Sequence, residues 1–443
     1  MSTNDLNIVI TPIKPALLDA ENSSLQVLVR IGVTADKPRA RVPLSIAMVI
    51  DRSGSMQGGR LQAAKDGIQQ FVSKLHPEDE VCLVAYDDEV SVPLPLTQVR
   101  GFRPLLPEIL SSIEAGGCTD LHSGWLEGAQ QLAPRSGQDR MCRVVLLSDG
   151  HANRGIQDIA NICEQVSQLA AAGITTSTVG IGLDFNERLM TEMAIAGQGT
   201  AMYGDRSEDL FEPLEAEAAL LGSLAWREVT LQVSSRSSRW TVHNPYPSNE
   251  PGSWVLPSLA TGSEAWVALS IPMERAVYAQ TVSPSGSALV VSIRAKDAQG
   301  EFHTFSAALS RLPVVGAEAY DALPADELVS RRFNELEAAE VQREAYRAAS
   351  MRNWAKLARM LDALELRAQD NPWLMQTVSV LRELLAQRDQ ARLEKELMYS
   401  SHSLSSRLTE QDELLSFSQQ RESEKAAFLR RKVQQGRDSG VGR

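Results

Sequence analysis

Cysteine, long apolar runs and positive charge are all scarce in this 443-residue chain. Each shortage excludes something. The four cysteines, Cys82, Cys118, Cys142 and Cys163, are scattered without a C-x-x-C pair. That pattern argues against a zinc site and for free, buried thiols in a reducing cytoplasm. No stretch approaches the roughly 20 apolar residues of a membrane helix, so no membrane span is expected. The opening "MSTNDLNIVITPIKP" has no basic segment leading into an apolar run, and no signal peptide is expected. The formal net charge of -12 argues against a nucleic-acid partner. That acidity lies before Pro324; beyond it, acidic and basic residues nearly balance. Nucleophile motifs, phosphate-binding glycine loops and His-rich clusters are also missing.

What is present divides into blocks. Leu25, Val27, Val29, Ile31 and Val33 alternate with other residues, the period of a half-buried strand. "LNIVITPI" reads as another, and residues 1–41 are assigned to the N-terminal strands of a β-sandwich. From Val42 the texture changes. "VPLSIAMVI", "EVCLVAY", "CRVVLLS" and "ITTSTVGIG" are short apolar runs of the kind buried on both faces, with helical segments between them. Residues 42–222 therefore read as a doubly wound α/β domain. Period-two alternation returns at Val229, Leu231 and Val233, at Val267, Leu269 and Ile271, and at Leu289, Val291 and Ile293. Residues 223–315 are read as the rest of the sandwich, so that the α/β domain is inserted within it. Trp226, Trp240, Trp254 and Trp266 are expected in its core. Residues 322–433 read as helical, with a last helix from Leu404 to Val433, and 434–443 as a disordered tail.

One stretch, "MVIDRSGSMQGGR", carries the chemistry. An apolar strand delivers Asp51 to a sheet edge, and a short loop then presents Ser53 and Ser55. Ligands of open parallel sheets bind at the carboxyl ends of the strands. Two more oxygen donors sit at equivalent places: Thr119 in "GGCTDLHSGW" and Asp149 in "VVLLSDGHANRG". Hydroxyls with carboxylates suit a hard cation, Mg²⁺ above all, with Mn²⁺ or Ca²⁺ possible. The shell is incomplete and leaves room for an outside carboxylate.

These segments resemble the von Willebrand factor A domain. Asp51, Ser53 and Ser55 match its D-x-S-x-S motif, Thr119 its threonine and Asp149 its later aspartate. The resemblance implies an intact metal-ion-dependent adhesion site. Ser53, Ser55 and Thr119 would hold the metal directly, with Asp51 and Asp149 acting mainly through water. The flanking strands are similar to those of bacterial and inter-alpha-trypsin-inhibitor-like members. The implied function is a non-enzymatic, cytoplasmic interaction protein, a scaffold or assembly factor whose partner offers Asp or Glu to the metal. A metal-dependent hydrolase, with His122 or His151 as base, is the alternative. A subunit working with an ATPase of the AAA class is a variant of the interaction reading.

Around the motif, Met56, Arg60, His122, His151, Asn153, Arg154 and Phe185 are expected on the binding rim. Asp87 and Asp88 read as a solvated strand-end turn more readily than a second cation site. Asp120 reads as a helix-start residue, and Cys118 as a packed thiol.

Overall fold

Two N-terminal strands open the computed structural model, which describes residues 6–34, 41–149, 152–182, 185–204, 206–235, 240–274, 287–368, 371–406 and 408–410. Strands β1 (Leu6–Pro12) and β2 (Asn22–Val33) run antiparallel. The alternation along β2 puts Leu25, Val27, Val29, Ile31 and Val33 on one buried face.

The α/β block follows in the order β3 (Leu44–Asp51), α1 (Gly59–Lys74), β4 (Glu80–Tyr86) and β5 (Val90–Gln98). Next come α2 (Leu121–Leu132), β6 (Met141–Ser148), α3 (Ile159–Ala171) and β7 (Ile174–Ile181). Helix α4 (Glu187–Ala196), β8 (Gln198–Gly204) and α5 (Ser207–Gly222) close it. The sheet order is β5-β4-β3-β6-β7-β8, parallel except for β5. Strands β3, β4, β6 and β7 are buried along their whole length, as continuous apolar runs require. Along β3 successive side chains face opposite layers. Ile46, Met48 and Ile50 pack with α1 and α5, while Ala47 and Val49 pack with α2, α3 and α4. Strands β5 and β8 were not anticipated. Pro93 and Pro95 hide β5 from a period reading, and the sheet tolerates them because β5 is an edge.

The chain moves outward from β3 to β4 and then returns across β3 to β6. The winding reverses between these two neighbours, which puts a crevice at their carboxyl ends.

The sandwich resumes with β9 (Leu224–Ser235), β10 (Ser253–Val255), β11 (Ser263–Glu274), β12 (Ser287–Lys296) and β13 (Phe302–Ser310). One sheet contains β1-β2-β11 and the other β10-β9-β12-β13, each widened by short strands. Val29 faces Val267 across the β2–β11 ladder, so strands from both sides of the α/β block share one sheet. Val27, Val29, Ile31, Leu231, Leu269 and Ile293 meet in the core.

Helices α6 (Glu327–Ser350), α7 (Trp354–Ala368), α8 (Pro372–Gln387) and α9 (Gln390–Ser406) complete the fold. Asp326 caps α6 by accepting the Val329 N–H at 2.9 Å. These helices pack on the same chain. Val329, Phe333 and Leu336 of α6 cover the outer face of the β2–β11 sheet, over Leu28 and Trp266. Trp266 is therefore not between the two sheets as expected, because its position faces the helix side of β11. The Arg332 guanidinium lies 5.0 Å from its ring. Trp226 is buried in the sandwich core, and Trp240 and Trp254 are only partly so. Helix α9 docks on the α/β block. Tyr399 sets its ring 4.8 Å from that of Tyr203, and Lys395 donates to Glu187 Oε2 at 3.2 Å.

Helix α9 ends at Ser406 and β14 (Thr409–Glu410) then pairs with β11, so the helix expected from Leu404 to Val433 does not run through 409–410, and its remainder from 411 lies outside the described residues. Residues 411–443, including the expected tail at 434–443, lie outside the described residues. Among the described residues no helix is long and apolar enough to cross a membrane.

Candidate functional site

Three loops meet at the crevice between β3 and β6, and backbone hydrogen bonds stitch them together. Asp51 ends β3, and the Ser53 N–H turns back to donate to Asp51 Oδ1 at 2.9 Å. The Gly54 N–H donates to the Gly117 carbonyl at 3.1 Å, and Gly116 N–H to the Arg52 carbonyl at 2.8 Å. These bonds tie the serine loop to the threonine loop. Thr119 is tied in turn to the loop after β6: its N–H donates to Asn153 Oδ1 at 2.8 Å, and its carbonyl accepts the Arg154 N–H at 3.1 Å.

Gly117 makes the close approach possible. Its φ is +70°, and a Cβ there would lie 2.0 Å from Asp88 Oδ1 and 3.0 Å from Asp87 Cβ. Gly117→Ala is expected to cost about 1–3 kcal/mol through backbone strain and this overlap. Urea unfolding monitored by circular dichroism measures it; a midpoint equal to wild type would show that the loop needs no glycine.

The five motif residues differ in exposure. Asp51, Ser53, Thr119 and Asp149 are buried, and Ser55 is exposed at the edge. The Ser53 and Ser55 hydroxyls are 3.1 Å apart. Asp51 Oδ2 accepts the Ser148 hydroxyl at 2.6 Å, so both oxygens of Asp51 are engaged by neutral donors. Burial pushes the Asp51 carboxyl up to about 6; the charge of Asp149 adds to the rise, and the Ser148 and Ser53 hydrogen bonds oppose it. Asp149 Oδ1 is buried with no hydrogen-bond partner, while its Oδ2 lies 3.5 Å from Arg60 Nη1. A buried carboxylate oxygen left without a donor is costly in a folded chain. It fits a hard cation, as do the adjacent hydroxyls. Among the described residues, no three His, Cys, Asp or Glu side chains group as a metal cluster. The candidate shell has only two carboxylates and relies on hydroxyls.

The expected rim divides. Arg60 is half-buried against the site, and Asn153 and Arg154 are exposed beside it. Met56 and Phe185 are not on the rim. Met56 is fully buried under the serine loop in the α1–α5 layer, and Phe185 packs in the opposite layer between Tyr203 and Tyr399. Both are apolar side chains whose loop positions turn them inward. His122 is nearly buried on α2, with its Nε2 3.0 Å from Gln165 Oε1 on α3. His151 lies outside the described residues. Asp87 pairs with Arg52 at 3.2 Å and Asp88 with Arg154 at 3.1 Å. Asp120 caps α2 through the Ser123 N–H. Cys118 is exposed and Cys163 half-buried, so only Cys82 and Cys142 are the buried thiols expected.

Sequence reading missed two contributors. Ser148, which precedes Asp149 in "LLSDG", orients Asp51, and its adjacency was the available signal. Asn153 locks the threonine loop, a role no local pattern announces.

Residues 45–216 match the model of the von Willebrand factor type A domain. An uncharacterised protein of Synechocystis is 27% identical over 185 residues, covering 42% of this chain and 43% of that protein. Human inter-alpha-trypsin inhibitor heavy chain H3 is 28% identical over 185 residues, covering 38% of this chain and 20% of the relative. The match thus spans less than half the length of these curated relatives. A solved structure described as von Willebrand factor type A from Catenulispora acidiphila aligns with a TM-score of 0.67 at 16% identity, over 92% of this chain and 98% of that one. That likeness extends the shared fold beyond the α/β block to the sandwich and helices.

Proposed function

We propose that the von Willebrand factor type A domain of this chain is a non-enzymatic, divalent-metal-dependent protein-interaction module. Domains of this type mediate protein interactions. The observation that carries the metal reading is the buried Asp149 Oδ1, without a partner, beside Asp51 and the Ser53 and Ser55 hydroxyls. Ser53, Ser55 and Thr119 would hold Mg²⁺, with Asp51 and Asp149 supplying negative charge. Bound there, the cation would offer a localised positive charge to an Asp or Glu of a partner. The chain's own contribution is preorganisation. Neutral donors fix Asp51, and the three loops are tied before any ligand arrives.

Exposed Ser55 at the sheet edge supports partner binding. Hydrolysis would need a base at the metal, and His122 is instead engaged by Gln165. A cytoplasmic scaffold or assembly role is part of the proposal, and the four free cysteines are compatible with a reducing compartment.

The test is capture of partners from native lysate in Mg²⁺ or in chelator, with wild type, Ser53→Ala and Thr119→Ala. Proteins captured only by wild type in Mg²⁺ are expected. The same proteins in all lanes would refute metal gating.

A further inference from the structure

Arg60 occupies an odd place for a basic residue. It is the second residue of α1, in the first turn, where the helix dipole presents positive charge and disfavours a cation. Helix stability does not explain it. Its guanidinium reaches the candidate site: Nη1 lies 3.5 Å from Asp149 Oδ2 and 3.4 Å from the Ser55 carbonyl. The group lies close over Gly182, where a Cβ would fall 2.8 Å from Arg60 Nε. Any larger residue at that position would push the guanidinium off.

Two fully buried carboxylates, Asp51 and Asp149, share this crevice. The donors to Asp51 are neutral. Arg60 is the basic side chain in contact with Asp149 among the described residues. The other rim arginines are committed elsewhere, Arg52 to Asp87 and Arg154 to Asp88. The contact to Asp149 is long and the side chain is 30% exposed, so the hold on this carboxylate is exchangeable.

We infer that Arg60 is a resident counter-ion for Asp149, and that a divalent cation must displace its guanidinium to load the site. The inference rests on the metal reading above and adds regulation to it. A dication and a guanidinium on one carboxylate repel each other, so the two are alternatives. Metal affinity is thereby set below what the oxygen donors alone would give. Once displaced, the guanidinium stands at the edge where an incoming carboxylate arrives, so partner binding and metal loading favour each other.

The test titrates MgCl₂ into the full chain by calorimetry for wild type, Arg60→Met and Arg60→Lys, with melting temperatures in EDTA and in saturating Mg²⁺. Arg60→Met is expected to bind Mg²⁺ about two- to fivefold more tightly, the range of a partly exposed ion pair. It is expected to melt lower than wild type in EDTA and equally in Mg²⁺. Arg60→Lys keeps the charge but loses reach and the planar fork, so it should tighten binding nearly as much. If Arg60→Met tightens and Arg60→Lys matches wild type, the field of the charge acts rather than the contact, and displacement is wrong. Unchanged or weaker Mg²⁺ binding in Arg60→Met, with wild type binding normally, refutes displacement alone. A wild type that does not bind Mg²⁺ refutes the metal reading, and displacement falls with it.

Discussion

In chelator at pH 7, Asp51→Asn is expected to be more stable than wild type, by up to about 3 kcal/mol, and to have lost its response to Mg²⁺. The cause is burial. The carboxyl is raised from 3.8 to about 6 in the folded chain, chiefly because ionising it inside the crevice is unfavourable. A raised carboxyl pKa means that the folded state binds the proton more tightly than the unfolded state does. The contribution is therefore complete below pH 3.8, declines as pH rises toward about 6, and is gone above it. Asparagine keeps the shape and accepts the Ser53 N–H, and the Ser148 hydroxyl can rotate to accept from its amide. It carries no charge to desolvate. The advantage should therefore vanish toward pH 4. With Mg²⁺ at a thousandfold excess over its dissociation constant the order reverses: wild type gains about 4.1 kcal/mol, and the variant gains nothing. Urea unfolding across pH 4–8, with and without Mg²⁺, provides the measurement. An asparagine variant less stable than wild type in chelator at pH 7 would show that Asp51 is worth more charged than its burial costs.

The second large effect lies at the other end of the sheet. Arg143 on β6 and Glu217 on α5 form a buried pair at 3.3 Å, and the Ser177 hydroxyl on β7 bridges them, 2.7 Å from each. Burial pulls the Arg143 pKa down, and the Glu217 charge opposes that shift. Glu217→Ala leaves a guanidinium buried without its counter-charge, and a loss of about 3–5 kcal/mol is expected. The pair is also incompletely satisfied. Arg143 Nε and Glu217 Oε2 are buried without hydrogen-bond partners. The double variant Arg143→Met/Glu217→Leu should therefore recover most of the loss or exceed wild type. Chemical denaturation of the single and double variants decides. If the double variant is as weak as the single one, the pair contributes more than charge balance. Helix α5 leads directly into β9, so this pair also fixes the junction between the α/β block and the sandwich.

The α/β block was readable because its strands are buried on both faces. "LSIAMVI" or "MCRVVLLS" has no other way to be satisfied, and that made these inner strands and the loops at their carboxyl ends legible. The edge strands β5 and β8 were not legible. Proline in one and half-buried glycine and threonine in the other are permitted only because a neighbour sits on a single side. The rim shows the same limit. Nothing in the local pattern separates Met56, which turns inward, from Ser55, which does not.

The sequence by itself determined which oxygens reach the sheet edge. Asp51, Ser53, Ser55, Thr119 and Asp149 follow buried strands or open loops before helices, and local chain geometry suffices to deliver them there. Only the tertiary structure decided what surrounds them. It placed Ser148 on Asp51, Asn153 on Thr119 and Arg60 on Asp149, and it folded the C-terminal helices back onto both the sandwich and the α/β block. Those contacts join residues far apart in the chain. They depend on how strands and helices are packed, and no periodicity within a segment encodes that.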